Sequence, residues 1–433
     1  MTLGIIVLIT TFVVLLMIGV PVAYGLGVAA TLTIMVSLTP LAAVTTMSQA
    51  MASSLDSFTL LAIPFFVLAG QLMNKGGIAV RLIEFAKVLV GRLPGGLAFV
   101  NIMANMLFGA ISGSAVASAS AIGSIMHPKM VKDGYDEKFS AAVNITSATT
   151  GLIIPPSNIL IVYSLASGGV SIAALFIAGY IPGILIGLSL MLIAGTIAYK
   201  KGYPLSEKIS FKFAVKKFFD AIPSLFMLVV VIGGIIAGMF TATEASAIAV
   251  LYALILSFIY KEIKVSDIPD VLLKTISTSS IVLFLVGTSM ALSWVMAYED
   301  IPQTVSAALL GLSDNPIIIL LIINIILLLV GTFMDMTPAV LIFTPIFLPI
   351  VTQQLGLDPI HFGIILILNL SVGICTPPVG TLLFVGCSVA KLNIEDVLKP
   401  LIPFFTAMIV SLLMITYIPE ISLFLPRLLG FID

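Results

Sequence analysis

Four short stretches of this chain place polar residues inside long apolar runs. They are GAISGSAVASAS at Gly109–Ser120, TSATTGLIIPPSN at Thr146–Asn158, GTFMDMTP at Gly331–Pro338 and SVGICTPPVGT at Ser371–Thr381. A proline pair removes two amide donors and frees carbonyls of the preceding turn. Such carbonyls, beside Ser, Thr or Asn oxygens, make an oxygen cage for a hard monovalent cation, while half-helix N-termini offer amide donors to an anion. Two breaks of one kind point to two sites for such a cation. The expected cage members are Ser112, Ser114, Gly151 and Asn158 on one side, and Gly331, Gly373, Thr376 and Val379 on the other. Gly151, Gly373 and Val379 would act through their carbonyls. Asp335 lies deep in an apolar segment, where a carboxylate is costly unless it has a function. It would repel an anion, so a cation or proton role is expected. An anionic substrate is expected on Ser114, Asn158, Thr337 and Thr381.

Other polar residues read more plainly. Glu244, three residues after Thr241, is expected to cap the first turn of a helix. His127 and His361 are expected to be ordinary interfacial residues, and Cys375 and Cys387 buried, reduced thiols without metal-site spacing. There is no HExxH, no GxSxG and no histidine expected inside the membrane, which argues against an intramembrane enzyme. A channel is disfavoured by the lack of a pore-lining charge ring.

The elements that carry these stretches follow from composition. Of 433 residues, 60% are hydrophobic and 9% charged, against roughly 25% charged in soluble domains. The mean hydropathy is +1.25. Too little polar surface remains to coat a soluble protein, and a net charge of −1 offers nothing to nucleic acid. Long apolar runs without dyad alternation indicate helices rather than barrel strands. At about 20 residues per crossing, roughly a dozen membrane segments are expected. Met1–Val20 has no basic flank and runs into a second apolar span, so it is expected to be a first membrane helix rather than a signal peptide.

Lys and Arg collect on cytoplasmic loops. One threading places every basic residue except Arg427 inside. It has helices at 3–19, 22–38 and 58–74, a re-entrant segment at 95–128, and helices at 139–168 and 172–199. In the second half come 222–240, 243–260 and 277–297, a re-entrant segment at 316–350, and helices at 362–388 and 400–418. The two halves have opposite orientation and match at an offset of 222: Gly109 with Gly331, Gly151 with Gly373, Pro155-Pro156 with Pro377-Pro378. Inverted repeats with Gly/Pro-broken segments at matching positions mark a secondary transporter's binding site. Ile78–Arg92 and Glu299–Leu312 are expected as amphipathic arm helices lying in the interface.

At the same residues the chain resembles the large membrane subunit of tripartite ATP-independent periplasmic (TRAP) transporters. The motifs are AIPFFVLAGQLMNKGGIAVRLIEFAKVLVGRLPGGLAFVN at 62–101, LFGAISGSAVASASAIGSIM at 107–126, TTGLIIPPSN at 149–158, GGIIAGMFTATEASAIAVLYAL at 233–254 and CTPPVGT at 375–381. The hairpin lacks an Asp that many members carry shortly after SGSAVASAS. The resemblance implies an all-α polytopic protein with the inverted-repeat, two-hairpin elevator fold of ion-coupled transporters. It implies a multi-pass bacterial inner-membrane importer driven by sodium; the threading above puts both termini on the periplasmic side. The implied partners are a small four-helix membrane subunit, expected as a separate chain, and a periplasmic substrate-binding protein. The substrate would be an organic anion, a carboxylate such as sialic acid or a C4-dicarboxylate. A proton-coupled organic anion transporter without a binding protein is the alternative. In these terms the chain divides into scaffold helices at 1–75, an arm at 76–94, a transport unit with the first hairpin at 95–200 and a basic cytoplasmic loop at 201–220. Scaffold helices at 221–298, a second arm at 299–315, a transport unit with the second hairpin at 316–418 and a periplasmic C-terminal tail at 419–433 complete it.

Overall fold

A computed structural model describes residues 3–204 and 211–432, and every regular element among them is helical. The first half runs α1 (Leu3–Met17), α2 (Val22–Ile34), α3 (Pro40–Leu55), α4 (Ala62–Lys75), α5 (Ile78–Val90), α6 (Gly96–Ser112), α7 (Ala115–Lys132), α8 (Glu137–Ala148), α9 (Asn158–Ala166) and α10 (Ile172–Lys201). The second runs α11 (Phe211–Ile236), α12 (Ala242–Ile259), α13 (Ile268–Tyr298), α14 (Ile301–Leu312), α15 (Pro316–Phe333), α16 (Met336–Pro349), α17 (Pro359–Gly373), α18 (Thr381–Ala390) and α19 (Ile394–Tyr417), with α20 (Glu420–Leu428) at the end. Eight of the described helical stretches are long and apolar enough to cross a membrane. The shorter apolar helices include α1, α2, the hairpin half α6, the arm α14 and the broken-helix halves α17 and α18.

The inverted repeat is visible element by element. Arm helices α5 and α14 precede the hairpins α6–α7 and α15–α16, and the broken helices α8–α9 and α17–α18 follow them. Both Pro155-Pro156 and Pro377-Pro378 lie in the breaks, and both bonds are cis. At the same offset α3 and α4 together match α13, which runs unbroken. In the first half the chain leaves helical dihedrals at Asp56 (φ −83°, ψ 52°). The Ser411 hydroxyl donates to Ser189 Oγ at 3.1 Å, and these residues are 222 positions apart. Repeat mates can touch one another only on their two-fold axis, so the pseudo-axis passes between α10 and α19.

Three boundaries depart from the sequence reading. Residues 39–57 were given no helix, yet α3 occupies most of them and packs on α13. Of the expected loop at 201–220, residues 205–210, Lys208 included, lie outside the described residues, and α11 already begins at Phe211. The expected tail carries α20, which packs on α10 and α17 and buries Ser422, Leu423 and Pro426. The threading weighed long apolar runs and the placement of Lys and Arg; α3 is diluted by Thr, Ser and Gln, and α11 and α20 carry charged residues. The outward faces of α1, α10 and α15 show Val13, Leu188 and Leu329, as lipid-facing helices do.

Candidate functional site

The first hairpin turns at Gly113, which has φ +62°, a left-handed conformation suited to glycine. Gly113 N–H donates to the Gly109 carbonyl at 2.8 Å, and Ser114 Oγ accepts from Ala117 N at 3.3 Å to cap α7. A Cβ on Gly113 would stand 3.0 Å from Asn158 Nδ2, so the hairpin tip lies against the first residue of α9. In the second hairpin Asp335 opens α16 without capping it.

Just behind each tip the hairpin crosses its broken helix through a pair of glycines. A Cβ on Gly109 would stand 2.6 Å from Gly151 Cα, and one on Gly331 would stand 2.9 Å from Gly373 Cα. These four residues are two pairs of repeat mates. Each crossing needs glycine on both strands of backbone, as in close helix contacts elsewhere in membranes.

Farther along the same helices, buried amides hold each pair together. Asn105 Nδ2 donates to Asn101 Oδ1 (2.7 Å), Asn144 Oδ1 (3.2 Å) and Ser147 Oγ (2.8 Å), and Ser118 donates to Asn105 Oδ1 (2.7 Å). In the second half Asn369 Nδ2 donates to Asn324 Oδ1 (2.7 Å), and Asn324 Nδ2 donates to Thr416 Oγ1 (3.1 Å). Sequence reasoning missed these clamps. Their signal was available: Asn101 and Asn105 stand one turn apart in an apolar helix.

The two tips and the two breaks converge on one cavity of about 560 Å³. Its walls include Ser112, Ser114, Asn158, Asp335, Thr337 and Thr381, so six of the expected site residues meet there. Gly151, Gly331 and Gly373 sit in the crossings beside it. Thr376 and Val379 do not line it: the Thr376 hydroxyl donates to the Val372 carbonyl at 2.8 Å, and Val379 is 39% exposed. Asp335 is the sole charged side chain among the described residues of the wall, and its carboxylate is accessible from the cavity. The first turns of α7, α9, α16 and α18 all reach the wall, directing helix N-termini into it. Asn158 Oδ1 and Thr381 Oγ1 are buried there without a hydrogen-bond partner. Opposite them stand Gln71 and Asn74 of α4 and Thr278 of α13, which the sequence reading did not single out.

Away from the cavity, Glu244 is a cap as expected. Its N–H donates to Thr241 Oγ1 (3.2 Å), and its carboxylate accepts from Thr241 N–H (2.8 Å), a full capping box. Cys375 and Cys387 are buried free thiols. Both histidine side chains are buried. His361 is buried, its ring nitrogens 2.7 Å from Ser422 Oγ and 3.3 Å from the Thr416 carbonyl, which fastens α17 to the end of the chain. His127 is buried inside α7.

Residues 9–421 match the family model described as the DctM component of the tripartite ATP-independent periplasmic transporter. An uncharacterized Salmonella typhimurium protein, YgiK, is 58% identical over 98% of this chain and 97% of its own. The C4-dicarboxylate TRAP transporter large permease protein of Rhodobacter capsulatus is 38% identical, covering 96% of this chain and 97% of its own. The sialic acid TRAP transporter large permease protein of Vibrio cholerae is 39% identical, covering 88% and 89%. Among solved structures, the Alcanivorax borkumensis YdaH transporter superposes with a TM-score of 0.63 at 13% identity, covering 90% of this chain and 89% of that one. That likeness shows a shared fold.

Proposed function

This chain belongs to the DctM family of large TRAP-transporter permease subunits, and we propose that it imports an organic anion across the bacterial inner membrane by sodium symport. It is a multi-pass membrane protein and not an enzyme. The observation that carries the coupling is one cavity in which both hairpin tips and both helix breaks meet around one carboxylate and, among the described wall residues, no cationic side chain. Sodium would sit among Ser112, Ser114, the Gly151 carbonyl and Asn158 on one side. On the other it would sit among the Gly331, Gly373 and Val379 carbonyls, Thr376 and Asp335. Ser114, Asn158, Thr337 and Thr381 would hold the substrate, whose charge is met by helix N-termini.

The cavity wall runs between the hairpin elements and α4 and α13. That position fits an elevator in which 95–200 and 316–418 slide against a scaffold formed by 1–75 and 221–298, with the arms at 76–94 and 299–315 as joints. The wall extends to Asn74 and Thr278, one residue from Lys75 and one turn from Lys274. With basic residues cytoplasmic and both termini periplasmic, the cavity faces the cytoplasm. A small four-helix membrane subunit and a periplasmic binding protein complete the assembly, the latter delivering the substrate.

The test is thermal unfolding of the purified chain in sodium, potassium or choline chloride at equal ionic strength. A ligand that binds the folded state raises Tm with concentration. A saturable rise specific to sodium and absent in Asp335→Asn is expected. Equal effects of all three salts would contradict the cation sites.

A further inference from the structure

We propose that a cavity between the first arm and the scaffold binds a membrane-lipid headgroup that carries both a phosphate and a primary ammonium, that of a phosphoethanolamine lipid. The site is separate from the cavity between the hairpin tips, and the inference holds whichever cation drives transport.

This cavity measures about 490 Å³, an ordinary size for a small-ligand site. It opens between α5, the start of α11 and the residues that follow α12. Both α11 and α12 are long and apolar enough to cross the membrane, and the cavity lies at the ends that carry Lys216, Lys217, Lys261 and Lys264. Basic residues mark the cytoplasmic boundary, so the cavity sits at the headgroup level of the cytoplasmic leaflet. Its wall has two kinds of residue. Val80 and Phe219 are apolar and exposed, as tail-facing side chains are. Arg81, Glu84, Lys217, Asp220 and Glu262 are charged, with Tyr260 among them. An apolar rim beside a charged interior suits an amphiphile better than a soluble ion.

Local contacts hold this wall in place. Arg81 Nη1 donates to the Gly77 carbonyl at 3.0 Å, and Nη2 stands 3.6 Å from Glu262 Oε1. The guanidinium carbon lies 3.7 Å from the centre of the Tyr260 ring. Phe85 packs on Phe218 with ring centroids 5.8 Å apart, which seats the arm on α11. The fold itself does not demand the charges. At the repeat offset of 222, Val80, Arg81 and Glu84 correspond to Pro302, Gln303 and Ser306, which line a cavity of about 520 Å³ beside the second arm. Among the described wall residues of that cavity there is no charged side chain. Both arms leave the same face open, and only the cytoplasmic one is charged.

Charge and hydrogen-bond type select the headgroup. Glu84, Asp220 and Glu262 face Arg81 and Lys217, so the described wall carries one net negative charge. A purely anionic headgroup would add to that excess at a boundary of low dielectric. A headgroup with both charges can lay its ammonium among the three carboxylates and its phosphate beside Lys217. A primary ammonium donates up to three charge-assisted hydrogen bonds to carboxylates, whereas a quaternary choline donates none. A lipid held this way would tie the arm to α11 and α12.

The experiment uses the purified full-length chain, stripped of lipid in detergent. Phosphatidylethanolamine, phosphatidylcholine or phosphatidylglycerol of one acyl composition is added back. Tm is followed against lipid concentration, and native mass spectrometry counts the lipids retained. Phosphatidylethanolamine is expected to raise Tm saturably, at a concentration roughly tenfold below that needed by either of the others. Glu84→Gln and Lys217→Gln are each expected to remove most of that selectivity and to lose one retained phosphatidylethanolamine. The count of retained lipid reads the site even where a substitution lowers Tm by itself. Glycerophosphoethanolamine, the same headgroup without tails, separates a membrane source from a soluble one. No response to it at the same concentrations is expected; a response equal to the lipid's would keep the headgroup chemistry and overturn the membrane source. Equal effects of the three lipids, a preference for phosphatidylglycerol, or selectivity that survives both substitutions would overturn the proposal.

Discussion

Asp335 concentrates the chemistry of the site because it is charged, opens a helix it does not cap, and faces the cavity. Removing its charge with Asp335→Asn should abolish the sodium response while leaving the helix start intact, since no cap bond is lost. Thr241→Ala is a contrasting change. It removes one side of the capping box of α12 and should lower stability by about 1 kcal/mol without altering sodium dependence, as denaturant or thermal unfolding would show. The residues legible from sequence were those that interrupt apolar runs: Ser112, Ser114, Asn158, Asp335, Thr337 and Thr381 all reach the cavity. Gln71 and Asn74 were not legible, because polar residues beside Lys75 look like an ordinary solvated helix end. The burial of His361 was not legible either: its neighbours Asp358 and Pro359 suggest a surface turn, while α20 folds back and covers the ring.

Hairpin and broken helix form one mechanical unit in each half. A glycine crossing lies near the tip and an amide clamp lies farther along. Gly109→Ala and Gly331→Ala each place a methyl against backbone, which cannot turn aside as a side chain can. Each should cost roughly 1–3 kcal/mol, read as a lower Tm, with Gly109→Ala the more severe because its approach is closer. Asn105→Leu strands several buried partners and should cost about 1–3 kcal/mol. Hairpins and breaks were readable because Gly and Pro survive where the rest of the repeat has diverged, and the arms because their charged and apolar residues fall on opposite faces. The crossings themselves were not, since a glycine's contact partner leaves no local pattern. Helix α3 escaped notice because its Thr, Ser and Gln residues dilute the apolar run; only Ala43 and Met47 are buried.

The two halves share one pseudo-two-fold axis, marked by the contact between Ser189 and Ser411. This symmetry places one hairpin tip from each half on the same cavity, so the proposed cation sites of both repeats would serve one substrate site. Cavity orientation gives a check on the whole molecule: Asn74→Cys should react with a membrane-impermeant maleimide from the side bearing Lys200 and Lys201, while Cys375, fully buried, should not react at all in the folded protein. The central claim is sodium-driven uptake. Proteoliposomes containing this chain with its small subunit, given a labelled carboxylate and the cognate binding protein, should accumulate substrate only with an inward sodium gradient. Asp335→Asn should abolish that accumulation. Uptake that ignores sodium and follows an imposed proton gradient would contradict the account and make Asp335 a proton carrier.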